Sequence, residues 1–515
     1  MALVLIGFMG AGKTTAAREL ADALGVEPQD SDALLAERFG RSPAEMFAAE
    51  GEATFRARED EAVVELLSNA GEHDVVALGG GSAGSARVRE LLRGHVTVLL
   101  DVLPETAWER VQSHGGADRP LARDPGRFAA LHAARAGTYE AVADAILPEL
   151  PRGGARRALG ALGALARAEP GTRMLWASAA SGEYPVYIRE GLLAGGDGAQ
   201  VLWPTDRGHS RAFCVTDETV APLYGDRLGE LAGTTVIPPG EQHKTLATAE
   251  RVWSELIEQG VTRADHLVAL GGGVVGDLAG FCAATYQRGV PVVQVPTTLV
   301  AQVDSAYGGK TGVDLPAAKN YIGAYHQPAG VIVDPGTLAT LPPAELAAGW
   351  VEVYKTALLA GGPLWESLSR DQPVDGLAIE RCVRMKLAVV AADERDAGAR
   401  QMLNLGHTVG HAIETATGYA RYRHGEAVGL GLLVALRLSG LGELREQTLA
   451  QLAAHGLPVR LEGASAEEVQ AATARDKKRI GARVPFVLLK APGEPLVGCE
   501  VDPGEVLAAI EEIAA

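Results

Sequence analysis

The chain has 515 residues, with 47% hydrophobic and 22% charged residues and a formal net charge of −18. This length is too great for one ordinary hydrophobic core and indicates about three compact units of a globular protein. Because so acidic a chain contains no long run of Lys or Arg, we expect neither nucleic acid nor an anionic membrane as its partner.

Cysteine usage and hydropathy indicate the cellular compartment of the protein. The four cysteines are far apart and form no CxxC pair, which fits a reducing compartment and excludes a cysteine-rich zinc site. The apolar N-terminal segment 2–7 is short and lacks the basic residues of a signal peptide, and no apolar run is long enough to span a bilayer. We therefore expect a cytoplasmic protein.

A nucleotide-binding motif follows the first predicted strand, residues 2–6. Residues 7–14 have the spacing Gly-x4-Gly-Lys-Thr, and a helical pattern begins at Thr15. In this P-loop context backbone N–H groups surround phosphate oxygens, and the helix N-terminus adds positive potential. Lys13 would reach the β- and γ-phosphates of ATP, and the Thr14 hydroxyl would ligate Mg²⁺. The residues predicted to bind ATP here are Gly10, Ala11, Gly12, Lys13, Thr14 and Thr15.

The residues that follow the P-loop suit a small polyol acid as the second substrate. Asp30 and Asp32 stand near a predicted strand end, and a buried strand, 75–78, runs into Gly79-Gly80-Gly81. Three separated arginines accompany them: Arg56, Arg119 and Arg135. Arginines can hold a carboxylate, and a glycine run lets a ligand approach the backbone closely.

In these motifs, residues 1–168 resemble shikimate kinase. The resemblance implies a P-loop domain with a parallel sheet, which phosphorylates shikimate with ATP and Mg²⁺. Asp32 would orient or deprotonate the attacking hydroxyl, and Arg119, in a lid at about residues 112–123, would contact ATP. The implied shikimate contacts are Asp32, Arg56, Gly79, Gly80, Gly81 and Arg135. Gluconate kinases share the small P-loop plan, so substrate choice depends on the arginines and the glycine run.

A second part of the chain begins after a short linker, 169–173, where Pro and Gly follow a helical pattern at 155–167. Strands then alternate with helical segments such as 246–260, which predicts a parallel, doubly wound sheet. A glycine-rich turn, 271–277, closes one strand and opens a helix, where a pyrophosphate can approach the backbone. The predicted strands are 184–188, 213–217, 235–237, 267–270 and 292–295.

The last third of the chain is predicted to be mostly helical, with one strand at 484–489. His407 and His411 are four residues apart in an apolar segment and therefore share a helix face, with Arg400 and Asn404 on nearly the same face one and two turns earlier. Two imidazoles on one face can bind a metal ion together, or one can bind the metal while the other moves protons.

Residues 174–515 resemble 3-dehydroquinate synthase through the runs GGGVVGDLAGF, PTTLVAQVDSAYGGKTGVD, LNLGHTVGHAIE and HGEAVG. The resemblance implies conversion of 3-deoxy-arabino-heptulosonate 7-phosphate into 3-dehydroquinate and phosphate. NAD would oxidise a ring alcohol and be regenerated after phosphate loss, before ring opening and aldol closure. A Rossmann-like α/β domain, 174–335, would precede a mostly helical metal- and substrate-binding domain, 336–515. The chain is thus expected to be a fusion of two enzymes.

The resemblance also implies a site. A divalent metal, Zn²⁺ or Co²⁺, would be bound by Glu352, His407 and His424, with His411 as a proton relay. The implied NAD contacts are Asp217, Gly240, Glu241, Lys244, Gly272, Gly273, Val274, Val275, Gly276, Asp277, Thr297, Thr298, Lys310 and Lys319. The implied substrate contacts are Lys386 and Arg400 for the carboxylate, and Arg288, Asp304, Lys310, Asn320, Lys355, Asn404 and one of Lys477 and Lys478 for phosphate and hydroxyls. A homodimer through the synthase half is expected.

Three alternatives compete with this assignment. A cyclase acting on a heptulose phosphate without a carboxylate would have no use for Lys386 and Arg400, and both are present. A metal-dependent alcohol dehydrogenase would turn over NADH in bulk. One half could also serve as a scaffold for the other, although the candidate catalytic residues of both halves are intact. Two residues near Lys310, Tyr307 and Asp314, depart from the family pattern.

Overall fold

The structure, a computed structural model, describes residues 1–113, 122–194, 199, 202–203, 210–316, 318–370, 372–473 and 485–514. Arg119, Lys477, Lys478 and most of the predicted lid lie outside the described residues. The chain forms two compact units. The first contains Met1–Ser178 and Glu183–Tyr187, and the second contains Ala179–Gly182, Ile188–Ala199 and nearly all of the chain from Arg207 onward.

A sheet lies at the centre of the first unit. Its strands are β1 Leu3–Ile6, β2 Gln29–Asp30, β3 Val75–Ala77, β4 Val96–Leu100, β5 Ala145–Leu147, β6 Arg173–Ala179 and β7 Gly182–Ile188. Strands β2-β3-β1-β4-β5-β6 pair in this order and run parallel, and β7 follows β6. The residues of β1, β3 and β4 are all buried, as expected for a parallel sheet covered on both faces.

Helices surround this sheet. They are α1 Lys13–Leu24, α2 Ser31–Phe39, α3 Pro43–Glu50, α4 Glu52–Asn69, α5 Ala86–Leu92, α6 Pro104–Ser113, α7 Pro125–Val142, α8 Gly154–Arg157 and α9 Leu159–Arg167. Helix α1 begins two residues before the predicted Thr15, because Gly12 takes a left-handed conformation (φ 94°) and serves as its N-cap. The single helix predicted at 155–167 is observed as two helices, α8 and α9.

The second unit has a five-stranded parallel sheet and two antiparallel hairpins. Its strands are β8 Ala212–Asp217, β9 Gly233–Ile237, β10 His266–Gly271, β11 Val292–Pro296, β12 Lys310–Leu315, β13 Ala318–Tyr325, β14 Gly330–Val333, β15 Phe486–Leu489 and β16 Pro495–Cys499. The sheet order is β14-β11-β10-β8-β9. Strands β12 and β13 form one hairpin, and β15 and β16 form the other. The predicted α/β architecture is confirmed, although β12, β13, β14 and β16 were not predicted.

Helices make up most of the second unit after residue 343, as predicted. They are α10 Ala221–Tyr224, α11 Leu246–Glu258, α12 Gly273–Thr285, α13 Pro343–Ala360, α14 Gly362–Leu368, α15 Gly376–Ala392, α16 His407–Ala416, α17 His424–Leu438, α18 Gly442–Ala454, α19 Ala466–Thr473 and α20 Pro503–Ala514. Among the described residues, we find no helix with the length and apolarity needed to cross a membrane.

The expected continuous helix from Arg400 to His411 is wrong. Residues Ala399–Asn404 form a 3-10 helix, and the chain then turns at Gly406, which has φ 76°. Helix α16 starts only at His407, so His407 and His411 share its face while Arg400 does not. The turn needs glycine for two reasons. Its φ is positive, and a Cβ at Gly406 would lie 3.0 Å from atoms of Leu432.

Candidate active sites

The P-loop of the first unit has the geometry of a phosphate cradle. Gly10 has φ 82°, and a Cβ there would lie 2.4 Å from the carbonyl oxygen of Ala107. Lys13 Nζ donates to the carbonyl oxygens of Gly7 and Phe8, at 2.9 and 3.0 Å, and so lies folded over the loop. Backbone N–H groups, the N-terminus of α1 and this ammonium together suit the phosphates of a nucleotide.

The Thr14 hydroxyl has a carboxylate partner. Its Oγ1 donates to Asp30 Oδ2 at 2.8 Å, and Asp30 Oδ1 caps α2 by accepting from the backbone N–H of Asp32. Asp30 lies at the end of β2 and was noted in the sequence but not assigned a role. A hydroxyl and a carboxylate at the P-loop are oxygen ligands of the kind that Mg²⁺ prefers.

The predicted acid-binding residues of the first unit lie together beside the glycine run. A Cβ on Gly79 would lie 2.9 Å from Asp32 Oδ1 and 2.7 Å from Glu59 Oε1. A Cβ on Gly81 would lie 2.0 Å from Arg56 Nη1. A side chain at either glycine would displace these groups from their present positions, so glycine lets the backbone, the carboxylate and the guanidinium lie close together.

Arg135 reaches the same backbone from α7. Its Nη1 donates to the carbonyl oxygen of Gly80 at 2.9 Å, and the Tyr139 hydroxyl donates to the same oxygen at 2.5 Å. The structure therefore brings Asp32, Arg56, Gly79–Gly81 and Arg135 together. Tyr139 follows Arg135 at (i, i+4) spacing, which the sequence showed without indicating a role for the tyrosine.

Glu59 is a residue that sequence reasoning missed. It is 3% exposed, its Oε2 accepts from Arg56 Nη1 at 2.5 Å, and its Oε1 accepts from Ser82 Oγ at 3.1 Å. A buried carboxylate that pairs with an arginine in this way holds the guanidinium in a fixed orientation. The (i, i+3) spacing from Arg56 was the available signal.

Three candidate metal ligands converge in the second unit. Glu352 Oε1 lies 3.7 Å from Nε2 of both His407 and His424. This oxygen is buried and has no hydrogen-bond partner. His407 Nδ1 lies 3.1 Å from the carbonyl oxygen of Leu405, an acceptor that would leave Nε2 as the free lone pair. Two imidazole nitrogens and a carboxylate oxygen, one of them otherwise unsatisfied, fit a divalent metal such as zinc.

Close helix packing brings these ligands together. His424 is the first residue of α17, and the next residue, Gly425, has no room for a side chain, since a Cβ would lie 1.9 Å from the carbonyl oxygen of Ala348 in α13. Farther along α17, a Cβ on Gly431 would lie 2.0 Å from the carbonyl oxygen of Gly406. The two glycines thus allow α17 to approach α13, which carries Glu352, and the start of α16, which carries His407.

The two candidate histidine ligands differ in their electrostatics. Burial lowers the pKa of His424, but the Glu414 and Glu352 carboxylates outweigh it and hold that pKa above its usual value, so the charged form of His424 must lose a proton when it binds a metal. Burial, together with Lys355 and the two neighbouring imidazoles, holds the pKa of His407 well below its usual value, so the ring is neutral. Burial lowers the pKa of Lys355, but the Glu352 and Asp304 carboxylates outweigh it and hold that pKa above its usual value. Neutral imidazole is the form that binds a metal.

His411 lies near the metal ligands without belonging to their group. Its ring centroid is 5.3 Å from that of His407 and 5.9 Å from that of His424. A different trio, His411, Glu414 and His424, also has its donor atoms within 4.8 Å of one another. Glu414 is a further buried residue that sequence reasoning missed, although it stands at the end of the run LNLGHTVGHAIE.

The groups predicted to hold the substrate carboxylate are buried. Lys386 Nζ donates to Asp304 Oδ1 at 2.6 Å. Arg400 is 1% exposed, and its Nη1 donates to the carbonyl oxygens of Glu394, at 2.5 Å, and Gly308, at 3.3 Å. Its Nε is buried without a hydrogen-bond partner. Two buried cations, of which Arg400 makes its side-chain hydrogen bonds to neutral carbonyl oxygens, suit an anionic ligand.

The glycine turn between β10 and α12 is tightly packed. A Cβ on Gly272 would lie 2.8 Å from Thr298 Cγ2, and one on Gly273 would lie 3.1 Å from Ser305 Oγ. The backbone N–H of Thr297 donates to the carbonyl oxygen of Gly271 at 3.0 Å. The predicted cofactor residues of this turn and Thr297–Thr298 therefore adjoin one another at the start of a helix, where a pyrophosphate is favoured. Val275, by contrast, points into the core.

A charge network around the buried Lys244 lies beside α12. Lys244 Nζ is 2.7 Å from Glu241 Oε1, 3.3 Å from Asp277 Oδ2 and 3.9 Å from Asp314 Oδ1. Burial outweighs the attraction of Lys244 and raises the pKa of Asp277 to about 6. The predicted cofactor residues Glu241, Lys244 and Asp277 thus form one network with Asp314. Tyr307 lies in the core, and its hydroxyl donates to the carbonyl oxygen of Gln302.

Some predicted residues take other contacts. Lys310 Nζ donates to Asp396 Oδ2 at 2.6 Å, and Asn404 Nδ2 donates to the carbonyl oxygen of Gln401 at 2.9 Å. The Asp217 carboxylate accepts from the backbone N–H groups that follow it and so caps the turn after β8. Gly240 has φ 102° at the N-cap of the 3-10 helix Glu241–His243.

Arg288 and Asn320 both have positive φ, at 69° and 52°. The Asn320 N–H donates to Asp314 Oδ1 at 2.7 Å, which keeps it beside the charge network. Arg288 is exposed and follows the C-terminal end of α12. The 13 residues of α12 span about 20 Å, so Arg288 is not brought to the glycine turn at the other end of this helix.

Comparison with known proteins assigns both parts of the chain. The family model for shikimate kinase matches residues 9–152, and those for the N-terminal and C-terminal parts of 3-dehydroquinate synthase match residues 234–348 and 349–479. The chain is 46% identical to the 3-dehydroquinate synthase of Halorhodospira halophila over 347 residues, which cover 64% of this chain and 97% of that protein. It is also 46% identical to that of Azotobacter vinelandii over 333 residues, 61% of this chain and 90% of that protein.

A similar solved structure is that of 2-epi-5-epi-valiolone synthase from Streptomyces hygroscopicus subsp. jinggangensis, with NAD+ and Zn2+ bound. It is 28% identical to the chain, with a TM-score of 0.58, and covers 64% of this chain and 96% of that one. Together with the convergence of Glu352, His407 and His424, these similarities identify the chain. It belongs to the 3-dehydroquinate synthase family, and a shikimate kinase domain precedes the synthase in the same chain.

Proposed function

We propose that the synthase half converts 3-deoxy-arabino-heptulosonate 7-phosphate into 3-dehydroquinate and phosphate, using NAD and Zn²⁺ or Co²⁺. The observation that carries this proposal is the unpaired, buried Glu352 Oε1 equidistant from Nε2 of His407 and His424. Three protein ligands with an open position form a catalytic metal site. When bound, the metal would polarise the alcohol undergoing oxidation and NAD would accept its hydride.

The residues around the metal ligands have separate roles in this proposal. Lys386 and Arg400 hold the substrate carboxylate, since a substrate anion can supply the partner that Arg400 Nε lacks. Lys355 holds the Glu352 carboxylate in place through its 2.6 Å hydrogen bond. His411 takes and returns the proton of the reacting hydroxyl. The phosphate and hydroxyls are bound by Lys310, Asn320, Asn404 and one of Lys477 and Lys478.

The proposed cofactor site includes the glycine turn and the residues beside it. The N-terminus of α12 would receive the NAD pyrophosphate, because its first N–H groups have no intrahelical acceptor. Thr297, Thr298 and the charge network around the buried Lys244 adjoin that helix end. A solved relative with 28% identity binds NAD+ and Zn2+, which supports the same pair of cofactors here.

We further propose that the kinase half transfers phosphate from ATP to shikimate. Lys13 and the P-loop hold the ATP phosphates, and Thr14 beside Asp30 holds Mg²⁺. Arg56 and Arg135 hold the shikimate carboxylate beside the glycine run, and Asp32 orients the attacking hydroxyl. Positioning and charge stabilisation supply most of the rate in such a transfer. Shikimate-dependent ADP formation by the full chain tests this half, and gluconate in place of shikimate should give none.

Phosphate release from the heptulosonate phosphate tests the synthase half. Metal-stripped full chain receives catalytic NAD, with and without zinc. Zinc-dependent release without NADH accumulation is the expected result. Stoichiometric NADH would instead indicate an alcohol dehydrogenase. If no phosphate is released but a heptulose phosphate without a carboxylate is turned over, the synthase half is another sugar-phosphate cyclase. The same conclusion would follow if Lys386→Met left the KM for the heptulosonate phosphate unchanged.

Two further proposals concern the whole chain. We place it in the cytoplasm, in keeping with its four cysteines, all of which are free. We also propose a homodimer formed through the synthase half. Light scattering coupled to size exclusion measures the mass directly, and a mass near 53.6 kDa would contradict the dimer.

A further inference from the structure

Glu414 is a buried carboxylate to which the roles above assign no task. It lies on α16 seven residues after His407, and therefore on the same face, two turns along. The residue is 5% exposed. Its Oε2 lies 3.6 Å from Nδ1 of His424, and its Oε1 lies 3.6 Å from Nζ of Lys319. One carboxylate thus lies between a metal-ligand candidate and a cofactor-site candidate.

The two nitrogens of His424 face different carboxylates. Nε2 faces the unpaired Glu352 Oε1 at 3.7 Å, and Nδ1 faces Glu414. A ring that ligates through Nε2 carries its proton on Nδ1, and a carboxylate that accepts a hydrogen bond from this N–H fixes both the tautomer and the ring orientation. Glu414 Oε2 faces this nitrogen at 3.6 Å, an ion-pair distance from which a small side-chain movement would form the hydrogen bond.

The other oxygen of Glu414 approaches a lysine that is itself confined. Lys319 Nζ lies 4.5 Å from the centroid of the Tyr419 ring, a cation–π distance. The backbone N–H of Tyr419 donates to the carbonyl oxygen of Glu414 at 2.7 Å. Because β13 carries Lys319 and α16 carries Glu414, this contact ties the β12–β13 hairpin to the helix that carries His407 and His411.

We propose that Glu414 is a positioning residue that fixes His424 for metal binding through Nε2. This inference rests on the proposed synthase function. The competing role is direct ligation, because Glu414 also groups with His411 and His424. The contacts favour positioning: Glu352 Oε1 faces Nε2 of both His407 and His424, whereas Glu414 faces the other nitrogen of His424, Nδ1, and Lys319.

Zinc affinity and stoichiometry of the metal-stripped full chain test this role. In competition with a chromophoric chelator, Glu414→Gln should bind one zinc per synthase site with about 10- to 100-fold lower affinity than wild type. Glu414→Asp keeps the charge but has a shorter side chain, so its zinc affinity should lie between those of wild type and Glu414→Gln. This variant shows whether the loss of affinity in Glu414→Gln follows the loss of charge rather than a folding defect. The visible spectrum of the Co²⁺-loaded amide variant should also shift, because the orientation of the His424 ring changes.

A neighbouring glutamate supplies the control. Glu426 is two residues from His424 on α17, but its carboxylate accepts from the backbone N–H and the guanidinium of Arg423. Glu426→Gln should leave zinc affinity and the Co²⁺ spectrum unchanged. The circular-dichroism spectrum of metal-free Glu414→Gln should match that of this control, which shows that the amide variant is folded.

Three outcomes would overturn the inference. Equal zinc affinity in wild type and Glu414→Gln would remove the positioning role while leaving the proposed function intact. A wild-type synthase half that binds two ions, with one lost in Glu414→Gln, would make Glu414 a ligand. A wild type that binds no zinc or cobalt would reject the proposed metal site itself, and with it any role of Glu414 there.

Discussion

Lys355 and Glu352 form a buried ion pair one helical turn apart on α13. Lys355 Nζ donates to Glu352 Oε2 at 2.6 Å, and both side chains are 2% exposed. An isolated charge in such a place costs several kcal/mol, so each residue depends on the other in the metal-free protein. The pair occupies only one oxygen of Glu352 and leaves the other for the two histidines.

This pairing predicts the effect of Lys355→Met. In metal-stripped protein the variant should lose about 3–5 kcal/mol of stability in the synthase unit, because an unpaired carboxylate stays buried. The double variant Glu352→Gln/Lys355→Met should lose less. Calorimetry of the full chain measures both melting temperatures, and equal decreases in the single and double variants would contradict the prediction.

Lys13→Ala should abolish shikimate phosphorylation and spare cyclisation. The Lys13 ammonium lies over the P-loop and donates hydrogen bonds to the carbonyl oxygens of Gly7 and Phe8. In this position it would stabilise the transferring phosphoryl group. Loss of one such charge lowers the rate by on the order of 10²–10³-fold. Both activities are measured on the same preparation. Equal loss of phosphorylation and cyclisation would refute independent sites.

His411→Ala should keep the metal and lose turnover. The ring lies beside the metal ligands, but Glu352, His407 and His424 form a complete group without it. Loss of a general acid–base group lowers kcat by on the order of 10²–10⁴-fold. Zinc content by elemental assay should equal that of wild type. A variant without zinc would show that His411 is a ligand.

A structural ion pair predicts an acid dependence of stability. Asp265 is 2% exposed and accepts from Arg211 Nη2 and the Thr262 N–H, at 2.8 and 2.7 Å. Burial raises its pKa, but the hydrogen bonds from Arg211 and Thr262 outweigh that effect and lower the pKa below 3.8. Since the folded pKa lies below the unfolded one, the carboxylate stabilises the fold above pH 3.8, and this contribution is lost as the pH falls further.

Asp265→Asn should therefore destabilise the synthase unit by about 2–3 kcal/mol at pH 7. The difference in melting temperature between wild type and variant should narrow as the pH is lowered through 4 towards 3. Glu255→Gln, which removes the exposed pair with Arg251, is the control and should cost only about 0.5 kcal/mol. A melting-temperature difference between wild type and Asp265→Asn that stays constant with pH would contradict the lowered pKa of Asp265.

The sequence determined those features that depend on spacing within one element or one turn. The P-loop glycines, the run Gly79–Gly81 and the helical pair His407 and His411 are local patterns, so their chemistry could be inferred before any contact was known. The alternation of strands and helices likewise predicted the α/β architecture, because period and turn residues are local properties. The hairpin β12–β13 escaped notice because its glycine-rich, polar segments resemble loops.

Only the tertiary structure decided which distant groups meet. Glu352 stands 55 residues before His407 in the sequence, and they converge because Gly425 and Gly431 let α17 approach its neighbours closely. The same packing places Glu414 between His424 and Lys319, and the turn at Gly406 removes Arg400 from the face of α16. Such contacts depend on the close approach of separate elements, which hydrophobic periodicity does not encode.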